Sequence, residues 1–135
     1  MRYLELAHLV GRVPAAREDA IASRRIGLDP PRAWLDERIG VRVRRMVDAG
    51  VLDETRRMMD AGIDPGLPSM SGHGYVHWTA HLRGDITLDA AVAATSKDVR
   101  AYSRRQMTWF LRDPEIRWID PTAGDPLALM AAVAA

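Results

Sequence analysis

The spacing of apolar residues along the chain predicts a series of helices. Between Pro31, which favours a helix start, and Gly50, which favours a helix end, four apolar residues recur at helical spacing: Leu35, Ile39, Val43 and Met46. The same reasoning predicts helices over about 1–10, 51–61, 75–82 and 88–111, and at most a short alanine-rich helix in the 121–135 tail. An irregular loop is predicted over 14–22.

Two short segments have strand character instead. Residues 23–28 end at Asp29 and two prolines, and Ile116–Ile119 lie near the other end of the chain. Strands this short are not stable in isolation, so we expect them to be edges of a sheet whose centre lies elsewhere. The pattern therefore predicts a mainly α fold with about five helices and two short strands.

Composition limits the possibilities further. The 135 residues allow one domain or less, and the absence of cysteine excludes disulfides and thiolate metal sites. His73, His77 and His81 are spaced four residues apart, but only Asp85 is a nearby carboxylate, so we interpret them as surface or core histidines and predict no metal site. No signal peptide or membrane span is evident, which favours a cytoplasmic protein without a membrane partner.

The long helix over 88–111 carries the most concentrated chemistry. The net charge of the chain is only +1, but 96–112 contain five Lys or Arg and one acid, a local excess of +4. The period places Val92, Val99, Tyr102 and Phe110 toward a core, with the basic side chains on another side. Guanidinium groups suit phosphate oxygens, and Gln, Thr and Trp suit bases. An ordinary solvated basic face is the alternative.

The segment from Tyr102 to Phe110, followed by Asp113-Pro114 and Trp118-Ile119-Asp120, resembles the C-terminal signature of tRNA dimethylallyltransferases. Further matches in the right order extend the resemblance over residues 2 to about 120: Arg2 to Leu6, Arg38 to Met46, Gly50 to Glu54, and Gly72 to Tyr75. The family transfers a dimethylallyl group from its diphosphate to N6 of an adenosine beside the anticodon. The resemblance implies that the two strands complete a phosphate-loop-type α/β sheet in the parent enzyme.

The resemblance also implies roles for particular residues. It places Arg42 near the diphosphate of the prenyl donor, where a cation stabilises the departing charge; a surface salt bridge is the alternative. It implies contacts with the tRNA anticodon stem-loop by Ser71, Gly72, His73, Gly74, Tyr75, Arg100, Arg104, Arg105, Gln106, Thr108 and Trp109. For the loop before Tyr75, the alternative is a plain connection with Tyr75 in the core.

The implied organisation is a helical pair over 31–62, a tRNA-contacting region over 63–112, a strand over 113–120 and a tail over 121–135. The sequence contains no Gly-x-x-x-x-Gly-Lys-[Ser/Thr] phosphate loop, so we expect it to be the C-terminal part of the enzyme and inactive alone. Mg²⁺, with ligands outside this chain, and dimethylallyl diphosphate are implied for the complete enzyme, which we expect to be a monomer.

The sequence departs from the family pattern at several positions: Ser71, Val76, His77, Val99 and Leu111. Arg112, next to Leu111, is a possible replacement for an arginine that the family often has at that position. Two other interpretations therefore stay open: a stand-alone RNA-binding helical module without catalysis, and a decayed, truncated gene product.

Overall fold

The structure is a computed structural model that describes residues 24–72 and 74–134. In these ranges the elements are, in order, β1 (Arg25–Leu28), α1 (Arg32–Asp48), α2 (Val51–Asp60), a 3-10 turn (Pro68–Ser71), α3 (Tyr75–Leu82), α4 (Leu88–Phe110), β2 (Ile116–Ile119) and α5 (Pro126–Ala134). The predicted mainly α fold is confirmed, with five α-helices and two strands in the part of the chain that is described. The predictions for 1–10 and 14–22 fall outside the described residues.

Local signals in the sequence account for most helix boundaries. Helix α1 begins directly after Pro31, and the Thr87 hydroxyl caps α4 by accepting a hydrogen bond from the Ala90 N–H at 3.2 Å. Gly50 and Gly62 follow α1 and α2 with φ of 93° and 74°, a conformation that glycine adopts without strain. The helix starts and ends expected at these positions are confirmed.

The two strands pair directly with each other in a parallel sheet. Arg25 is opposite Ile116 and Leu28 is opposite Ile119. The prediction of two short strands is confirmed, and the structure adds that β1 and β2 are direct neighbours. Between them the Trp118 ring lies across Gly27, where an added Cβ would come within 2.4 Å of the ring.

An ionic contact holds the start of β1 against the segment before β2. Arg25 Nη1 lies 2.8 Å from an Asp113 carboxylate oxygen and 3.0 Å from that of Glu115. The pKa of Asp113 is lowered, first because its carboxylate accepts a hydrogen bond from the Glu115 backbone N–H and then because of Arg25. Its ionised form is thus the one that the folded chain favours.

We expect Asp113→Asn to change how stability depends on pH. Because the folded-state pKa is depressed, the carboxylate contributes stability above its unfolded-state pKa, and this contribution disappears as the pH falls through the folded-state pKa. Urea unfolding should therefore separate wild type from Asp113→Asn near neutral pH and bring them together in acid. Glu115→Gln, which leaves the main hydrogen bond intact, is the control. A difference independent of pH would contradict the assignment.

The core lies where α1, α2, α3 and α4 meet. Its buried members are Ile39, Val43, Val51, Trp78, Ala91 and Val92. The predicted stripe of α1 is confirmed, since Ile39 and Val43 are buried and Leu35 and Met46 pack against the cluster. Trp78 is fully buried and is the largest residue in the core.

Helix α4 extends beyond this core, and two of its predicted core residues are exposed. Val92 is buried and Val99 packs against the core, but Tyr102 is 55% exposed and Phe110 is 39% exposed. The helical period of α4 is correct, but the prediction that Tyr102 and Phe110 face a core is wrong, because α1 does not extend alongside this part of α4. Arg32, in the first turn of α1, already lies against Ser103, so the rest of α4 passes the end of α1.

Candidate nucleic-acid interface

The extension of α4 forms a shallow basic concavity on one side. Its volume is about 430 Å³, and it is lined by Ala101, Arg104, Arg105, Thr108, Trp109 and Arg112. At about 100° per residue these positions fall within an arc of roughly 140° on the helix, which is why they share one face. We call this set the basic face. The Trp109 ring is 68% exposed, and it packs against Phe110 in a T-shaped arrangement with ring centroids 5.0 Å apart.

The arginines of the basic face have no acidic partner among the described residues, in contrast to several arginines elsewhere. Arg25, Arg32 and Arg56 each pair with a carboxylate at 2.8–3.0 Å. Among residues 24–72 and 74–134, no carboxylate pairs with Arg104, Arg105 or Arg112. The Arg105 guanidinium lies 5.8 Å from the centroid of the Tyr102 ring. The charge of this face is therefore not neutralised by the described part of the chain.

Arg100, which is a predicted tRNA contact like Arg104, is directed toward α1. Its Nη2 donates a hydrogen bond to the Asp36 carbonyl oxygen at 3.2 Å, and its Nε lies 3.6 Å from the Asp36 carboxylate. Arg32 completes the network: it pairs with the Asp36 carboxylate at 3.0 Å and donates a hydrogen bond to Ser103 Oγ at 3.2 Å. Arg100 thus joins α4 to α1 and does not line the basic face.

Of two other predicted tRNA contacts, Thr108 lines the basic face and Gln106 does not. The Thr108 hydroxyl donates its hydrogen to the Arg104 carbonyl oxygen at 3.0 Å, so it is left as a hydrogen-bond acceptor. An acceptor suits a base N–H and not a phosphate. Gln106 is exposed and is not among the residues that line the concavity.

The loop before α3 packs against α4 further back along that helix. Gly74 has φ of 84°, and a Cβ added to it would come within 2.5 Å of Thr95 Oγ1. His77 Nε2 lies 2.8 Å from an Asp98 carboxylate oxygen. Thr95 and Arg104 are separated by about 14 Å along the helix axis, at about 1.5 Å per residue. The loop therefore contacts an earlier part of α4, and the basic face lies on a later part of the same helix. His73 lies outside the described residues.

The side chain of Tyr75 is held in place by contacts within the fold. Its hydroxyl donates a hydrogen bond to the Glu54 carboxylate at 3.0 Å, and its ring packs against the core. Burial, followed by the hydrogen bond and charge of Glu54, raises the pKa of the phenol. This geometry favours the alternative in which Tyr75 is a core residue that positions the loop. The Gly72 backbone lies beside it, since the Tyr75 N–H donates to the Gly72 carbonyl oxygen at 3.2 Å.

Arg42 lies on an exposed part of α1, away from the basic face. Arg32 contacts Ser103 while Asp36 contacts Arg100, so the residue numbers rise along α1 as they fall along α4 at this contact. Measured along the helix axes from the contact between Asp36 and Arg100, Arg42 lies about 9 Å in one direction, at about 1.5 Å per residue. Thr108 lies about 12 Å in the opposite direction. No carboxylate of the described ranges pairs with Arg42.

Sequence reasoning left Arg112 out of the predicted contacts. It was considered only as a replacement for an arginine at position 111, and the structure includes it in the lining of the basic face. The signal that identifies it is the spacing of Arg104, Thr108 and Arg112, which follow one another at i, i+4 and i+8. Leu111, by contrast, is 61% exposed and does not line the concavity.

The remaining described histidines take part in local contacts. His77 pairs with Asp98, and His81 Nδ1 lies 3.1 Å from the Ile86 carbonyl oxygen. Within residues 24–72 and 74–134, no three His, Cys, Asp or Glu residues come together in a way that would hold a metal ion. In the same ranges, no helix has the length and apolar character that crossing a membrane requires.

Comparison with known proteins identifies the family. The model of the IPP transferase family matches residues 1–113, and the chain belongs to that family. A tRNA dimethylallyltransferase of Methylobacterium radiotolerans is 47% identical over 100 residues, which are 73% of this chain and 32% of that protein. One from Corynebacterium jeikeium is 35% identical over 133 residues, or 94% of this chain and 43% of that protein.

A solved structure agrees with these relatives. The full-length tRNA isopentenylpyrophosphate transferase of Bacillus halodurans superposes with a TM-score of 0.75 and 31% identity, covering 98% of this chain and 43% of that one. The chain therefore spans between about a third and just under half the length of these relatives. The part that it matches is the C-terminal part of the family.

Proposed function

We propose that this chain is the C-terminal segment of a tRNA dimethylallyltransferase and supplies contacts to the tRNA anticodon stem-loop. The family of the chain and the names of its relatives support the reaction: transfer of a dimethylallyl group from dimethylallyl diphosphate to N6 of an adenosine. The observation that carries the RNA contact is the basic face, where Arg104, Arg105 and Arg112 surround an exposed Trp109. Phosphates and unpaired bases are the ligands that suit such a surface.

The contacts divide between two regions of the chain. On the basic face, Arg104 and Arg105 bind phosphate oxygens, while Thr108 and Trp109 face bases. The backbone around Gly72 and Gly74 approaches the RNA from the other region, and Tyr75 holds that backbone through Glu54. Arg100 acts indirectly, because its bonds to Asp36 fix the position of α4 against α1.

Arg42 serves the prenyl donor in this proposal. When N6 attacks the allylic carbon, the bond from that carbon to the diphosphate oxygen breaks, the diphosphate leaves with its electrons, and N6 gives up a proton to a base outside this segment. A guanidinium stabilises the negative charge that develops on the departing group. Arg42 is exposed and its charge is not neutralised by a described carboxylate, which suits a ligand that arrives from outside the segment.

The described residues do not fit an Mg²⁺ site, since no suitable cluster of carboxylates or histidines occurs among them. Accordingly, if the complete enzyme uses Mg²⁺, its ligands belong to other parts of the protein. The same proposal divides the chain into the helical pair at 31–62, the RNA-contacting region at 63–112, the strand at 113–120 and the tail. It treats the complete enzyme as a cytoplasmic monomer.

The basic face can be tested by removing two of its charges. We expect Arg104→Ala with Arg105→Ala to weaken tRNA binding and to lower the slope of log affinity against log salt by about two, since each phosphate contact releases roughly one counterion. The matched control is Arg44→Ala with Arg45→Ala, which removes the same charge from exposed positions of α1. Filter binding over a salt series measures both. Equal losses in the two double variants would contradict a specific role for the basic face.

A further inference from the structure

The basic face has the chemical features of a site for one nucleotide. Its volume of about 430 Å³ is near the lower end of the roughly 300–1,000 Å³ of ligand pockets. Three of the six residues that line it are arginines, one is an aromatic residue, and none is acidic. A negatively charged group with a flat ring is the ligand that complements this lining.

Arg112 stands at the end of this face and has no competing partner among the described residues. The nearest acid in sequence, Asp113, pairs with Arg25 at 2.8 Å. Thr108, one turn before Arg112, has already used its hydroxyl hydrogen on the helix backbone. A phosphate that reaches this end of the concavity therefore finds Arg112 as its donor.

An ordinary explanation for Arg112 also exists. Cations are favourable just past the C-terminal end of a helix because of the helix dipole, and Arg112 follows α4 at that position. Arg83 provides a comparison, because it is an exposed arginine directly after α3, one residue nearer to its helix end than Arg112 is. Only Arg112 lies beside an exposed indole and two further guanidinium groups.

We propose that Trp109 and Arg112 form a subsite for a single unpaired nucleotide of the RNA, with the Trp109 ring stacked on the base and Arg112 bound to its phosphate. The proposal rests on the RNA-binding function proposed above. It assigns a new role to Arg112 and limits the role of Trp109 to unpaired bases, since a base in a duplex has both faces covered by its neighbours. Thr108, as an acceptor, adds a contact to an N–H at the base edge.

Two RNAs of equal length separate stacking from charge. One is the anticodon stem-loop hairpin, which has unpaired loop bases, and the other is a fully paired duplex. With the whole 135-residue chain, we expect Trp109→Ala to weaken hairpin binding about tenfold and duplex binding less than about twofold, because only an unpaired base can stack on the indole. Trp109→Phe keeps an aromatic face and should retain most of the hairpin affinity.

Arg112 is tested against Arg83. We expect Arg112→Gln to weaken hairpin binding by about tenfold and to lower the salt slope by about one, as expected for one charged phosphate contact. Arg83→Gln removes the same charge after another helix and should change neither value by much. Circular dichroism of each variant confirms that the helices are intact, which is expected because all three positions are exposed.

The outcomes distinguish this subsite from the function on which it rests. If the folded wild-type chain binds neither RNA, the RNA-binding function and the subsite both fail. If wild type binds RNA but Arg112→Gln and Arg83→Gln have equal effects, the phosphate assignment is wrong. If Trp109→Ala leaves hairpin affinity unchanged, or weakens hairpin and duplex equally, the stacking assignment is wrong, as it would be if Trp109 instead packed against protein.

Discussion

Trp78→Ala is expected to destabilise the chain by about 3–5 kcal/mol, the usual cost of removing a large aromatic residue from a core. Trp78 is fully buried in the cluster that joins α1, α2, α3 and α4. With the indole gone, the surrounding helices collapse only partly, and the cavity adds to the lost burial. Because small domains are stable by only about 5–15 kcal/mol, this one change removes a large part of the total.

Urea unfolding followed by circular dichroism measures the effect. Trp34→Ala is the matched control, because Trp34 is 39% exposed and its described ring contact is with Arg38, whose guanidinium is 5.2 Å from the ring centroid. That change should cost less than about 1 kcal/mol. A similar shift of the urea midpoint in both variants would show that Trp78 does not anchor the core. Loss of α3 from the core would also release the loop that precedes it.

The helix boundaries could be predicted because the signals that set them are local. Pro31, Thr87 and Gly50 act on residues within one turn of themselves, so a short window of sequence contains the whole cause. The family resemblance could be recognised for a related reason: its motifs are short runs with fixed spacing. The assignment of the chain to the IPP transferase family is confirmed by the match over residues 1–113.

The features that could not be predicted from the sequence depend on contacts between distant residues. Whether Tyr102 and Phe110 are covered depends on how far α1 extends alongside α4. The spacing of apolar residues within α4 carries no information about this. The pairing of β1 with β2 joins residues about ninety positions apart, as in the bond from Arg25 to Asp113. Long-range pairing of this kind leaves little trace in either segment alone.

The separation of Arg100 from Arg104 illustrates the same limit in the candidate site. Both are arginines on neighbouring turns of one helix, and nothing in the local sequence distinguishes them. What distinguishes them is Asp36, which is 64 positions away from Arg100 and holds it against α1. The role of Arg100 as a helix-joining residue therefore became evident only from the tertiary structure, as did the place of Arg112 on the basic face.

Gly74→Ala should be the second most damaging change, and its cost has two separable causes. The φ of 84° is unfavourable for alanine by about 1–2 kcal/mol. In addition, the new Cβ would lie 2.5 Å from Thr95 Oγ1 and 2.6 Å from its methyl carbon, so α3 and α4 must move apart. We expect a total of about 2–4 kcal/mol, which combines the backbone strain with the cost of overpacking.

Two further variants separate these causes. Gly50→Ala has a similar φ of 93° but nothing within 4 Å of the added Cβ, so it measures the backbone strain alone. Thr95→Ala removes the two nearest atoms that the new Cβ meets and leaves Trp78 Nε1, at 3.0 Å, as the next neighbour. No described group hydrogen-bonds the Thr95 hydroxyl, so this change alone should cost little. In Gly74→Ala with Thr95→Ala, the loss should therefore fall toward that of Gly50→Ala, with a favourable coupling of at least about 1 kcal/mol. Additive losses would mean that Thr95 does not set the path of the loop, and RNA binding by the double variant would show whether that path matters for function.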